Sequence, residues 1–365
     1  MEQRTKRRLL LAAGLTVSLV ASVWFAARVR GNWPEVVEAF RGARHLHFYL
    51  IPSIGSITLV YAFRVARWRR FLAPIKRVRA SNVAAATCIG FMANNLLPLR
   101  AGELIRPYVL HRKEGVRFGH CIATAVGLER VFDLIGLLLL ILATSLMMPG
   151  GLLAASADAQ VAVGLGRIRQ GIMLFGAAAA VGAVGFTALA LFPRPFVALG
   201  ERCTRVLPAS WQGLADAFLH SMADAMGFLK DWREVVLAVG YSFGLWLAMG
   251  VGTYWLAKGL GLDLGLAGPL FVVVAVAVAV AVPQAPSYVG MFPEVAALGA
   301  RTFGADPGAA DAMAIVMWLV NIIPITLVGL LFLWREGLNL KMLASAASKM
   351  KDTAGSHADA GGGGA

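Results

Sequence analysis

Charge is scarce in this chain. Asp, Glu, Lys and Arg supply 15% of its 365 residues, against 58% hydrophobic residues and a mean hydropathy of +0.70. Soluble domains carry about a quarter charged residues, so this composition argues against a water-soluble globular fold. Cysteine is nearly missing as well: Cys88, Cys121 and Cys203 are odd in number and mostly in apolar context, which leaves no disulfide framework and no metal spacing. Enzyme signatures are also lacking. There is no Gly-rich phosphate loop, no metal-ligand cluster and no Gly-x-Ser-x-Gly elbow, so neither a cofactor nor a catalytic residue is expected. His45, His47, His111 and His120 are scattered near the ends of apolar runs and read as interfacial polar anchors.

What the chain does have is long apolar runs. They lie at roughly 9–27, 46–63, 118–148, 170–192, 235–257 and 309–334, each long enough to span a bilayer. The expected fold is an all-α polytopic membrane protein with about six full transmembrane helices. Two further runs, at roughly 83–112 and 267–300, are interrupted. The first contains Asn94-Asn95-Leu96-Leu97-Pro98-Leu99-Arg100-Ala101-Gly102-Glu103 and continues to Arg106, and the second contains Pro283 to Glu294. Lipid offers no hydrogen-bond partner to irregular backbone or to an unpaired charge, so such segments must lie in protein or line a wet cavity. Each reads as a re-entrant hairpin.

The order span, broken segment, span occurs twice, in a first repeat at 32–148 and a second at 210–334. The single span at 170–192 between them would invert the second copy, giving an inverted-topology repeat with a substrate site at the midplane. Residues 1–335 then form one integral membrane domain, followed by a disordered tail at 336–365 rich in Ala, Ser, Gly and Lys. Before two of the spans lie helices expected either to lie in the membrane interface or to cover the bundle as loop helices. One starts at Asn32 as cap with Pro34 in its first turn, and carries Trp33, Val36, Val37 and Phe40 on one face. The other carries Trp211, Leu214, Phe218, Met222, Ala225 and Leu229 on one stripe.

The net charge of +14 invites a nucleic-acid reading, but its distribution opposes one. With the N-terminus inside, the Lys and Arg fall mainly on one side: four in the first tail, seven from Arg64 to Arg79, five from Arg100 to Arg117, five from Arg194 to Arg233 and four from Arg335 to Lys351. The positive-inside rule then puts both termini in the cytoplasm. The same basic loops suit anionic lipid headgroups at that leaflet. Arg4, Lys6, Arg7 and Arg8 resemble the start of a signal peptide, but no clear cleavage site follows, and the first helix is expected to be retained.

The chemistry-bearing residues gather in these irregular regions. Glu129, Arg130 and Asp133 occupy about one turn inside an apolar run. An isolated charge at the bilayer centre costs about 2.5–3.5 kcal/mol, so the three must be partnered. They form either a structural ion network or a headgroup-binding cluster in a cavity. Glu103 and Arg106 are three apart and suited to pair on one helix face. Arg100 and Arg106 suit a phosphate through the planar guanidinium fork, or are ordinary cytoplasmic charges. Asn94 and Asn95 can satisfy freed backbone groups at the break, a role that needs no ligand. Pro98, Gly102, Pro286 and Gly290 shape the two hairpins, and Glu294 is the only acid of the second, facing either a proton, a cationic headgroup or Arg130. Asn321 and Pro324 read as a kink in the last span.

Three stretches together, Asn95 to Glu103, Glu129-Arg130-Val131-Phe132-Asp133, and Pro286 to Glu294, resemble the lysylphosphatidylglycerol synthase transmembrane region family of flippase-like membrane proteins. The resemblance covers about residues 10–335. It departs at the second hairpin, where Ser287-Tyr288 stands in place of the family's Gly-Gly. What the resemblance implies is two inverted subdomains with re-entrant helices, in a bacterial inner membrane, moving polar-headed phospho- or glycolipids between leaflets. Arg100, Glu103, Arg106, Glu129, Arg130, Asp133 and Glu294 would line its headgroup cavity. Nothing but a short tail follows residue 335, so any lipid-synthesising enzyme is expected on a separate chain. With no nucleotide site, transport is expected to be downhill or ion-coupled. A non-transporting partner that presents lipid to a biosynthetic enzyme is the alternative, and a membrane-embedded lipid transferase is the third. Gly- and Ala-rich spans permit a homodimer.

Overall fold

The computed structural model describes residues 22–97, 100–147, 177, 219–281 and 286–337, and among them there is no strand. In chain order the helices are α1 (22–31), α2 (Trp33–Gly42), α3 (Leu46–Leu72), α4 (Ala80–Leu96), α5 (Gly102–Glu114), α6 (Phe118–Met147), α7 (Trp232–Gly259), α8 (Ala267–Ala279), α9 (Met291–Thr302) and α10 (Pro307–Arg335). A short helical stretch at 219–230 precedes α7. The expected span at 170–192, most of the one at 9–27, Pro98, Pro283, Trp211 to Phe218 and the tail beyond 337 lie outside the described residues.

Four of these helices, α3, α6, α7 and α10, are long and apolar enough to cross a membrane. They have 27, 30, 28 and 29 residues, or about 40–45 Å each against a hydrocarbon core of about 30 Å. Their outer faces carry large exposed apolar side chains, such as Phe48, Ile51 and Leu59 on α3, Leu142 and Leu146 on α6, Val236 and Val251 on α7, and Leu327, Val328 and Leu331 on α10. In water such faces would aggregate, whereas against acyl chains they are at home. The chain is a multi-pass membrane protein.

By contrast, α4, α5, α8 and α9 have 17, 13, 13 and 12 residues, about 18–25 Å each and too short to cross alone. They pack pairwise, α4 on α5 and α8 on α9. In the first pair, Gly90 and Gly102 meet backbone to backbone, so that a methyl group on Gly102 would strike the Gly90 carbonyl oxygen. The second pair is antiparallel: Gly268 faces Phe303 and Gly299 faces Val272. Residues 267–276 of α8 are all buried, so this helix is apolar all round. At the two tips the backbone turns through the left-handed region, at Arg100 (φ 51°) in the first and at Ser287 (φ 59°), Tyr288 (φ 54°) and Gly290 (φ 84°) in the second.

The described residues group into two units. The first comprises 22–61, 136–147, 243–281 and 286–324, and its core joins Val36, Ile57, Leu140, Leu256, Val272, Phe292, Met313 and Met317. The second comprises 62–97, 100–135, 219–242 and 325–337. Its core centres on Trp68, Phe71, Phe132 and Phe228, with ring centroids 5.2 Å apart for Phe71–Phe132 and 4.9 Å for Phe71–Phe228. Each of the four long helices has residues in both units.

Two sequence expectations need correction. The span expected to end near 63 runs on to Leu72, because Trp68, Phe71 and Leu72 are buried; Arg64 and Arg67 are therefore helical and largely enclosed, not loop charges. Asn32 precedes α2 but makes no side-chain cap; its amide donates to Asp311 instead, at 3.4 Å. On α2 only Val36 is buried, while Trp33 and Phe40 are exposed. Asn321 donates to the Met317 carbonyl at 2.8 Å, a local bond within α10 that accompanies Pro324 inside that helix.

Candidate functional site

Within the second unit, three elements converge on a cavity of about 60 Å³. The end of α3 brings Arg64; the first hairpin brings Gly90, Phe91 and Asn94 from α4 and Gly102, Glu103 and Arg106 from α5; α6 brings Ala125, Glu129, Arg130 and Asp133. The local reasons are legible. Arg64, Arg67 and Trp68 are spaced three and four apart, so they share one face of α3. Gly90 and Gly102 let α4 and α5 approach closely enough that Arg106 lies against Gly90. In α6, residues Ala123–Leu128 form a π-turn directly before Glu129. Such turns reset the helical register and recur at functional sites. This one is pinned by Thr124, whose hydroxyl accepts from Trp68 Nε1 at 3.0 Å and donates to the His120 carbonyl at 2.8 Å.

The charged groups form three connected sets. Arg106, on the first hairpin, holds Glu129 through both Nη groups, with Nη2 to Oε1 at 2.8 Å. Its guanidinium stacks on the Trp68 ring, 4.0 Å from the centroid, and Glu129 is 3% exposed. Asp133 is held from both sides, by Arg64 at 3.1 Å and by Arg67 at 2.7 Å. Arg67 is wholly buried and donates also to the Ser242 hydroxyl at 2.6 Å, which in turn donates to the Ala238 carbonyl. Glu103 is shared by Arg130 and Arg100, the latter at 3.6 Å. Arg130 is the most exposed of these groups, with 53% of its side chain accessible. A buried pair of this kind gains from mutual attraction but loses hydration, so it is held together only by saturated geometry.

The first unit carries its own charge cluster. Asp311 of α10 is wholly buried and accepts from Arg28 at 2.9 Å and from Arg301 of α9 at 3.0 Å to each of its oxygens. Arg28 also holds Glu294, in the first turn of α9, at 2.5 Å. Among the described residues, two guanidiniums and two carboxylates balance here.

Of the residues singled out in the sequence, Glu103, Arg106, Glu129, Arg130 and Asp133 line one cavity. Arg100 and Asn95 do not line it: Arg100 sits at the hairpin tip beside Glu103, and Asn95 donates to Thr326 of α10 at 3.0 Å. Glu103 and Arg106 do not pair with each other, since each turns to a different residue of α6. Glu294 belongs to the first unit, where Arg28 is its partner. Gly102 lies against the Gly90 carbonyl and Gly290 has a φ of 84°, while the Pro286 backbone opens the short turn before Gly290. Asn94, named in the sequence for the break, also lines the cavity, whereas sequence reasoning missed Arg64, Arg67, Arg28, Arg301 and Asp311 as site residues. The signal for Arg64 and Arg67 was the apolar Trp68, Phe71 and Leu72 after them, which extends the helix and encloses the charges.

Comparison with curated proteins finds no match, and comparison with solved structures finds none. The family model for the lysylphosphatidylglycerol synthase TM region matches residues 11–329, spanning both hairpins and every residue of the two charge clusters. The chain belongs to the lysylphosphatidylglycerol synthase transmembrane-region family, and so to membrane proteins of lipid-related function.

Proposed function

We propose that this protein is a lipid transporter, moving a polar-headed lipid between the leaflets of a bacterial inner membrane, with both termini in the cytoplasm. The observation that supports this reading is the guanidinium-lined cavity between α3, α6 and the first hairpin, inside helices whose outer faces suit acyl chains. Guanidinium matches phosphate oxygens with two parallel hydrogen bonds, and a headgroup entering the cavity would exchange water for such bonds. The acyl chains would remain in lipid beside the apolar faces. The four short helices are read as two re-entrant hairpins, an arrangement that places irregular backbone only where protein encloses it. The two hairpins in turn fit an inverted repeat, in which rocking of one half against the other alternates access.

Reconstitution tests the reading. Purified protein in vesicles containing traces of tail-labelled lipid should accelerate leaflet exchange over protein-free vesicles for at least one headgroup class. Binding of lipid without any acceleration across all classes would favour a partner that only presents lipid to an enzyme. Formation of a new covalent lipid product would favour a transferase.

A further inference from the structure

In the charge cluster of the first unit, the two acids are held differently. Both oxygens of Asp311 are engaged, Oδ1 by Arg28 and Arg301 and Oδ2 by Arg301 and Asn32. Glu294 uses one oxygen alone: Oε1 accepts from Arg28, while Oε2 is buried with no hydrogen-bond partner. A carboxylate oxygen shielded from water and given no donor destabilises the ionised form. Even so, 20% of the Glu294 side chain is accessible, so a small solute can reach it.

The charged groups that act on Glu294 are Arg28 of α1, Asp311 of α10, and Arg301 about two turns further along α9 itself. The helix α8, which packs on α9, is apolar and buried from Ala267 to Val276. Glu35 of α2 meets α10 at Gly308 and is exposed. These surroundings decide what Oε2 can receive. An inorganic cation needs several oxygen ligands, and here one oxygen is left beside two guanidiniums. An ammonium brings three N–H donors and meets the same shortage. A proton needs one oxygen.

Building on the transport reading above, we infer that Glu294 is a proton-binding site that couples transport to the proton gradient, giving up its ion pair with Arg28 when the proton arrives. The step is a simple protonation: the proton adds to Oε2, Glu294 becomes neutral, and Arg28 keeps its charge and its bond to Asp311. Two guanidiniums then face one carboxylate, and the excess charge favours withdrawal of Arg28 toward water. The consequence reaches the second hairpin. The helix α1 is joined to that hairpin by the Arg28–Glu294 pair and by Ser22, whose hydroxyl donates to the Val289 carbonyl at 3.2 Å. Between these contacts the backbone is held in the left-handed region at Ser287, Tyr288 and Gly290, a conformation that persists only while its surroundings enforce it. Protonation therefore loosens α1 from a strained tip.

The experiment has two arms, both on the full chain. In the first, vesicles hold a trace of tail-labelled phosphatidylglycerol, phosphatidylethanolamine or a glycolipid. An imposed pH gradient should drive at least one of these lipids to an unequal distribution between leaflets, beyond that of protein-free vesicles, and a protonophore should abolish the inequality. Glu294→Gln should lose it as well. Exchange without any gradient-driven inequality in the wild type, or an inequality that persists in Glu294→Gln, overturns the coupling and leaves transport standing. No exchange of any of the three overturns the transport reading and the coupling with it.

The second arm does not depend on transport. Spin labels at Val23 and Val289, both exposed, report the distance between α1 and the hairpin tip in phosphatidylcholine nanodiscs. A short distance at alkaline pH should give way to a longer one as the pH falls, because the neutral acid no longer holds Arg28. Glu294→Gln and Arg28→Gln should each lose this response, and either variant suffices if the other fails to fold. A wild-type distance that ignores pH, or a response that persists in either variant, overturns the proton site at Glu294.

Discussion

Arg106 joins Glu129 by two parallel hydrogen bonds while its other side lies on the Trp68 ring, so one guanidinium ties the first hairpin to both α6 and α3. Both partners are almost completely enclosed. Removing one leaves the other as an uncompensated buried charge, at a cost of about 3–5 kcal/mol. Replacing the pair by apolar residues of similar volume removes both desolvation penalties at once. Arg106→Met and Glu129→Leu should therefore each lower the melting temperature far more than the double variant does. A double variant as unstable as the sum of the singles would show that the two side chains act independently.

The contact of Gly102 with the Gly90 carbonyl leaves no space for a side chain. Gly102→Ala should force α4 and α5 apart and destabilise the protein by about 1–3 kcal/mol, as overpacking does in a close-packed interior. Gly55→Ala is the control, since a methyl group there meets nothing within 4 Å. Thermal unfolding in detergent compares the two, and equal melting temperatures would contradict the close approach.

The second hairpin stores strain where the family carries Gly-Gly. Ser287 holds a φ of 59°, fixed by Trp318 Nε1 donating to its carbonyl at 2.8 Å. A side chain in the left-handed region costs about 1–2 kcal/mol, while glycine gives back part of that through a more flexible unfolded chain. Ser287→Gly should then stabilise the protein by about 0.5–1 kcal/mol. A fall in the melting temperature would mean that the Ser287 side chain contributes more than its backbone costs.

Asp311 gathers Arg28 of α1, Arg301 of α9 and Asn32 of the turn between α1 and α2. Asp311→Asn keeps the shape but removes the charge, leaving two partly enclosed guanidiniums with Glu294 as the acid that remains. The expected loss is about 3–5 kcal/mol in unfolding free energy. The additional variant Arg301→Met restores charge balance and should recover part of it. No recovery would place the effect in packing, not in charge.

Much of this was legible in the chain, for reasons tied to particular residues. Spans such as α7 and α10 announce themselves by length and apolarity, and the tips at Arg100 and Ser287–Gly290 by the Pro and Gly around them. The residues of α6 were legible because charge inside an apolar run must be partnered. The partners themselves were not. Arg64 and Arg67 look like ordinary positive-inside charges until the burial of Trp68 and Phe71 encloses them, and the pairing of Asp311 with Arg28 joins residues 283 positions apart. Spacing favoured Glu103 with Arg106, three apart on one helix. The close packing of α4 on α5 turns Arg106 toward Trp68 and Glu129, and burial there outweighs the small gain of an exposed pair on one helix face.

The central claim, that the cavity beside Arg64, Arg106 and Glu129 receives a lipid headgroup, is tested most directly by photo-crosslinking in vesicles. The probe is phosphatidylglycerol with a diazirine in its headgroup, and mass spectrometry maps the adducts. The account predicts adducts at the cavity wall, on Phe91, Asn94 and Ala125, that disappear when unlabelled phosphatidylglycerol is in excess. Adducts confined to outward-facing residues such as Leu142 and Leu327, unchanged by competition, would contradict it.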